Sequence, residues 1–296
     1  MIADKENVRG FWMWWPLRLV ALFVVLCSAY VGGQFSIHYL AKSSSLRFQA
    51  AFLLADAVVC AWLVCYLYRL LVRWMEGRKA EELAWNQQAG PLIFAGVCLG
   101  ALLFCAVYAL LFAFGVVSFH GFGSAERLAV AISASLVAAF AEEVIFRGVI
   151  YRLFEQGFGT AVALILSGAL FGLIHSGNLG ATVESTIAIA LEAGVLLAAA
   201  YALTRSLWLP IGLHFGWNFT EGGIFGAAVS GGAIKGLINA PLSGPDYLTG
   251  GSFGPEASII AVGVALLASL VILILAAKRG QWRALRFQLR SAEARP

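Results

Sequence analysis

The chain has 296 residues, 61% of them hydrophobic and only 12% charged, and its mean hydropathy is +0.85. A soluble domain carries about 25% charged residues, so a water-soluble globule is excluded and a polytopic membrane protein is implied. The formal net charge of +4 is modest, and its placement matters more than its size.

Eight apolar stretches read as spans, at 17–40, 48–71, 91–115, 127–147, 159–176, 184–203, 207–225 and 257–277. Each is close to the ~20 helical residues that cross ~30 Å of hydrocarbon. The first follows a long polar leader without a clear small-x-small cleavage site, so it reads as a retained span and not a signal peptide. The second holds Asp56 in its middle, and a charged loop, Arg73 to Gln88, separates it from the third. The fourth contains Glu142 and Glu143, and the sixth contains Glu192. The fifth and seventh are the shortest and most polar. A Gly/Ser/Pro-rich loop at 226–255 is long enough to fold over one face. The eighth span is uniformly apolar, and a basic tail after Ala277 suits anionic headgroups, not nucleic acid. The chain divides into 1–123, with spans one to three; 124–225, where the polar motifs are confined; and 226–296, with the loop, last span and tail.

With eight spans both termini share a side. That side holds sixteen Lys and Arg, against Lys42, Arg47, Arg127 and Lys235 on the other. Cytoplasmic segments are enriched in Lys and Arg, so both termini are expected in the cytoplasm, with the plasma (inner) membrane as the location. Cys27, Cys60, Cys65, Cys98 and Cys105 all fall inside predicted spans without a C-x-x-C pair, and read as small core hydrophobes.

The two adjacent carboxylates require explanation, because a charge at membrane depth costs from about 3 to over 10 kcal/mol. Glu143 stands four residues before Arg147, on the same helical face, and can stay charged by pairing with it. Glu142 points about 100° away and has Phe146 as its local neighbour, so it suits a buried general base. Two further polar motifs follow in apolar stretches, Phe171-Gly-Leu-Ile-His175 and His214-Phe-Gly-Trp-Asn218. A Glu–Arg clamp, packing histidines and a bridging asparagine are the purely structural alternatives. Asp56 and Glu192 lack motif partners and read as structural hydrogen-bonding groups. An aspartyl dyad, a G-x-S-G serine site and an H-E-x-x-H zinc site are all missing from the sequence. Two His and one Glu also form a known zinc set, which leaves Glu142, His175 and His214 as alternative metal ligands. Counting along the spans puts Glu142 and His214 about 10–15 Å from the cytoplasmic side but His175 nearer 25 Å, a mismatch if they share one site.

The three motifs, in order Glu142-Glu143-Val-Ile-Phe-Arg147, Phe171-Gly-Leu-Ile-His175 and His214-Phe-Gly-Trp-Asn218, resemble the CPBP family, also called Abi, which groups CAAX prenyl endopeptidases with bacteriocin-processing and immunity-type membrane proteins. The approach from Thr204 to Phe219 resembles it too, and the likeness covers about 124–225. It implies an all-α intramembrane endopeptidase acting on a membrane-associated protein or peptide, with no cofactor and a site open toward the cytoplasm. It further implies that Glu142 and His175 activate a water, that His214 and Asn218 stabilise the oxyanion, and that Glu143, Arg147 and Phe171 support them. A non-catalytic immunity or assembly scaffold of the same fold is the alternative. A transporter with a proton path through Asp56, Glu142 and Glu192 is a third reading, but it would predict broken helices in paired halves, and the motifs occur once.

Overall fold

A computed structural model describes residues 46–123 and 128–285, with a few isolated positions before Leu46. The expected first span, Arg127 and the tail from Arg286 onward lie outside the described residues. Among the described residues the fold is all-helical, with three isolated β-bridges and no strand.

Among the described residues seven helical passes follow one another. They are α1 (Leu46–Glu76), α2 (Ala89–Ala113), α3 (Leu128–Phe158), α4 (Thr160–His175), α5 (Val183–Thr204), α6 (Trp208–Asn218, continuing as a π-helix over Phe219–Ile224) and α7 (Ile259–Lys278). Five of these, α1, α2, α3, α5 and α7, are long and apolar enough to cross a membrane. The 16-residue α4 and the 208–224 pass are shorter, as their polar character in the sequence anticipates. The chain is an integral membrane protein.

Successive helices alternate in direction and so create two ends. At one, Thr160 N–H donates to Arg283 O, Leu207 N–H to Glu82 O, and Arg205 to Gln281. At the other, Val117 bridges Leu242, Phe122 bridges Ile238, and Asn178 donates to Ser230 O. The first end gathers Arg69, Arg73, Arg78, Lys79, Arg152, Arg205 and the Lys278–Arg283 segment, and is the basic end. The second is the far end.

Helices α2 and α6 run parallel in close contact because each carries a small-xxx-small pair, Gly96/Gly100 and Gly212/Gly216. A methyl group on Gly100 would stand 2.1 Å from Leu213 O, and one on Gly216 would stand 2.3 Å from Val97 O. In lipid, where apolar transfer gives no drive, such close backbone approach is what holds helices together. Phe104, Tyr108, Trp217 and Phe225 fill the space above this contact toward the far end.

The charged loop between α1 and α2 is folded inward, not spread over the headgroups. Glu82 is buried and accepts from Tyr68 Oη and from Arg78 (2.9 Å), while Arg152 pairs with Glu76 at 2.5 Å. Arg69 donates to Leu83 O, and Trp208 Nε1 to Ala84 O at 2.9 Å. On the other side of this end Glu155 is buried, accepting from Tyr151, Thr160 and Arg205. These pairs close the basic end.

Candidate active site

The depth mismatch read from the sequence disappears, because the fourth span runs on past its expected end and the seventh starts recessed within the bundle. α3 does not end at residue 147 but continues to Phe158. Arg147, Arg152 and Glu155 interrupt its apolar run, yet all three are buried and paired inside the bundle. Glu142 therefore stands 16 residues before Phe158, about 24 Å at 1.5 Å per residue, and His175 stands 15 after Thr160, about 22 Å. α6 starts inside the bundle, with Leu207 packed beside Gly148, about 15 Å in from Phe158. His214, seven residues beyond Leu207, reaches the same level.

Glu143 is fully buried and organises the centre. Its Oε1 accepts from Arg147 Nη1 at 2.9 Å and from His214 Nδ1 at 2.9 Å. Arg147 also donates to Ala193 O (2.8 Å) and Gly194 O (3.1 Å) on α5, and its guanidinium lies 4.6 Å from the centre of the Phe171 ring. The expected i, i+4 pair thus exists, and it also ties α3 to α4, α5 and α6. Phe171 packs edge-on against Phe146 and beside His175, fixing both motif helices.

Glu142 faces differently, as the 100° offset requires. Its Oε2 lies 3.8 Å from His175 Nε2 and 4.0 Å from His214 Nε2. These gaps exceed a direct hydrogen bond and suit a bridging water. His175 Nδ1 lies 2.7 Å from Phe171 O. A carbonyl only accepts, so Nδ1 carries the proton and the lone pair of a neutral His175 sits on Nε2, toward Glu142. Asn218, one turn beyond His214, borders the same space.

Glu142, His175, His214 and Asn218 line one cavity of about 590 Å³. It runs between the first half of α3 and the end of α4, past Val130, Ala134, Gly177 and Leu179, and under the 229–234 segment. The long Gly-rich loop therefore does fold over the bundle, and it forms a wall of the site. A second cavity of about 20 Å³, room for one water, adjoins His175, His214 and Asn218. Trp217 Nε1 and Glu192 Oε2, which have no hydrogen-bond partner among the described residues, border it and are suited to hold such a water. Sequence reasoning missed Ser230 and Glu256 here: Ser230 N–H and Oγ–H donate to Glu256 Oε1 at 2.6 and 2.7 Å and pin the loop beside the site. Their only trace in the sequence is the loop's length. Asp56, on α1, lines neither cavity.

The cavity reaches the far end, where 177–179 and 229–234 lie, and no residue of the basic end borders it. A cytoplasmic basic end and a cytoplasmic opening, both expected from the sequence, therefore exclude each other. For a metal, Glu142 Oε2 and the two Nε2 atoms converge but remain too far apart for a formed cage, and among the described residues no three His, Cys, Asp or Glu side chains are placed to hold an ion.

The family model described as Rce1-like, type II CAAX prenyl endopeptidase, matches residues 122–220, the stretch that supplies every motif residue named above. This is the family that the three motifs resemble. No curated protein and no solved structure matches the chain.

Proposed function

We propose that this protein, whose residues 122–220 match the Rce1-like family model, is an eight-span intramembrane endopeptidase of the plasma (inner) membrane that hydrolyses a membrane-associated protein or peptide. One observation carries the reading: the Glu142 carboxylate and the lone pair of His175 face each other across 3.8 Å, the span of a shared water, at the wall of a cavity bordered by two hydrogen-bond donors. In this reading the water gives a proton to Glu142, with His175 Nε2 accepting its second hydrogen bond, and its oxygen attacks the scissile carbonyl carbon. The carbonyl oxygen gains the electron pair and accepts from His214 Nε2–H and Asn218 Nδ2–H. His214 must carry a proton on each nitrogen for this. Glu143, which accepts the Nδ1–H, supplies the compensating charge: Glu142, Glu143, Arg147 and a protonated His214 sum to zero. On collapse, the C–N bond breaks and the proton held by Glu142 passes to the departing nitrogen, leaving an amine and a carboxylic acid.

The test compares proteomes of membranes carrying wild-type protein or Glu142→Gln. Uncut substrates accumulate in the variant if the reading holds; identical proteomes would leave a non-catalytic scaffold. Zinc supplied by the alternative ligand set would act as a Lewis acid on water or carbonyl. The metal-free reading expects purified enzyme, dialysed against chelator until zinc is undetectable, to keep its activity. Activity lost with the metal and restored by zinc alone would reassign Glu142, His175 and His214 as ligands.

A further inference from the structure

We propose that the site is entered from the non-cytoplasmic face of the membrane and that its substrates are peptide segments presented on that face; the substrate part rests on the endopeptidase reading. Two independent observations combine. The first is the direction of the cavity. From Glu142 it extends past Ala138, Ala134 and Val130, successive turns of α3 leading to the far end, and its rim is formed by Leu179 and the 231–234 segment. Leu179 is 81% exposed, so the rim is open to the outside of the bundle. In the opposite direction the described residues leave no passage. Every residue from Val144 to Tyr151 is buried, Phe146 closes on Phe171, and the inward-folded 80–85 segment fills the basic end below Gly148 through Tyr68, Glu82 and Trp208.

The second observation is charge. Of the twelve Lys and Arg among the described residues, nine lie at the basic end, Arg147 is in the core, and only Arg47 and Lys235 lie at the far end. Nine against two is the asymmetry that retains segments in the cytoplasm. The open rim is therefore on the other side. A cytoplasmic lipidated tail would meet the closed, charged end. A segment of a translocated or membrane-anchored protein on the outer face would meet the rim, with apolar walls at Val130, Ala134 and Ile234 to receive its side chains.

The experiment uses the full chain with its native cysteines replaced, carrying either Leu179→Cys at the rim or Arg279→Cys at the basic end, in sealed right-side-out vesicles. A membrane-impermeant maleimide should label Leu179→Cys directly, and label Arg279→Cys only after the vesicles are opened. The reverse pattern, or labelling of both from one side, overturns the proposed access. Cut sites present with wild-type protein and lost with Glu142→Gln should then map to non-cytoplasmic segments of their substrates. Cut sites in cytoplasmic segments overturn the substrate class. If no cut site depends on Glu142, the endopeptidase reading fails and the substrate class with it, while the labelling still decides which face the rim occupies.

Discussion

Adjacent glutamates with separate partners are the main feature at the scale of single residues. Glu142 faces the open cavity, whereas Glu143 is enclosed by Arg147 and His214. Glu142→Gln keeps the size and removes the base; folded protein in the membrane and its melting temperature should be unchanged while cleavage is lost. Glu143→Gln strands the Arg147 guanidinium, and breaking a buried pair costs about 3–5 kcal/mol. A clearly lower melting temperature or abundance is expected for that variant in detergent. Equal losses of folded protein in both variants would make the whole pair a structural clamp.

Glycine contacts and π-helical turns fix the site at the scale of elements. Each π-turn begins at or spans a residue of interest: Val144–Tyr151 follows Glu143, Ala190–Gly194 contains Glu192, and Phe219–Ile224 follows Asn218. Such wide turns inside α-helices are frequent at functional sites. The α2–α6 contact sets the position of His214 and Asn218, because Gly212 and Gly216 flank them on the face against Ile93 and Val97. Gly100→Ala drives a methyl into the α6 backbone. Overpacking of this kind costs about 1–3 kcal/mol, so thermal stability should fall and cleavage with it. Gly263→Ala, on α7 with open space around it, is the matched control and should melt at least as high as wild type. A Gly100→Ala variant as stable and active as that control would mean the pair can separate freely.

The closed basic end makes the stability of the whole molecule depend on pH. Burial pushes the Glu82 carboxyl up, but hydrogen bonds from Arg78 and Tyr68 and the nearby Arg152 charge outweigh it and hold the group below its ordinary value of 4.5. A depressed carboxylate contributes stability that is fully present above the unfolded value and is lost as pH falls through the folded one. The melting temperature of detergent-solubilised protein should therefore drop as pH is lowered below 4.5, and the drop should be shallower in Glu82→Gln, which starts lower because Arg78 loses one of its two carboxylate partners and keeps only Glu76. Equal slopes would show that the inward loop contributes nothing to the closure.

The sequence by itself determined the membrane class, the helical fold, the Glu143–Arg147 pair and the identity of the motif residues. These follow from composition and from i, i+4 spacing, which are local properties and survive whatever the helices pack against. Tertiary structure alone decided where the spans end and how the motifs meet. Arg147, Arg152 and Glu155 look like a helix leaving the membrane, because hydropathy cannot register that each charge finds a partner from another element. The recessed start of α6 depends on the Glu82 loop folding beneath it, a contact across 125 positions from Glu82 to Leu207. Ser230 and Glu256 enter the site only because a long loop returns over the far end. The proposed direction of access rests on both kinds of information: charge counts for the sides, and packing for the end that stays open.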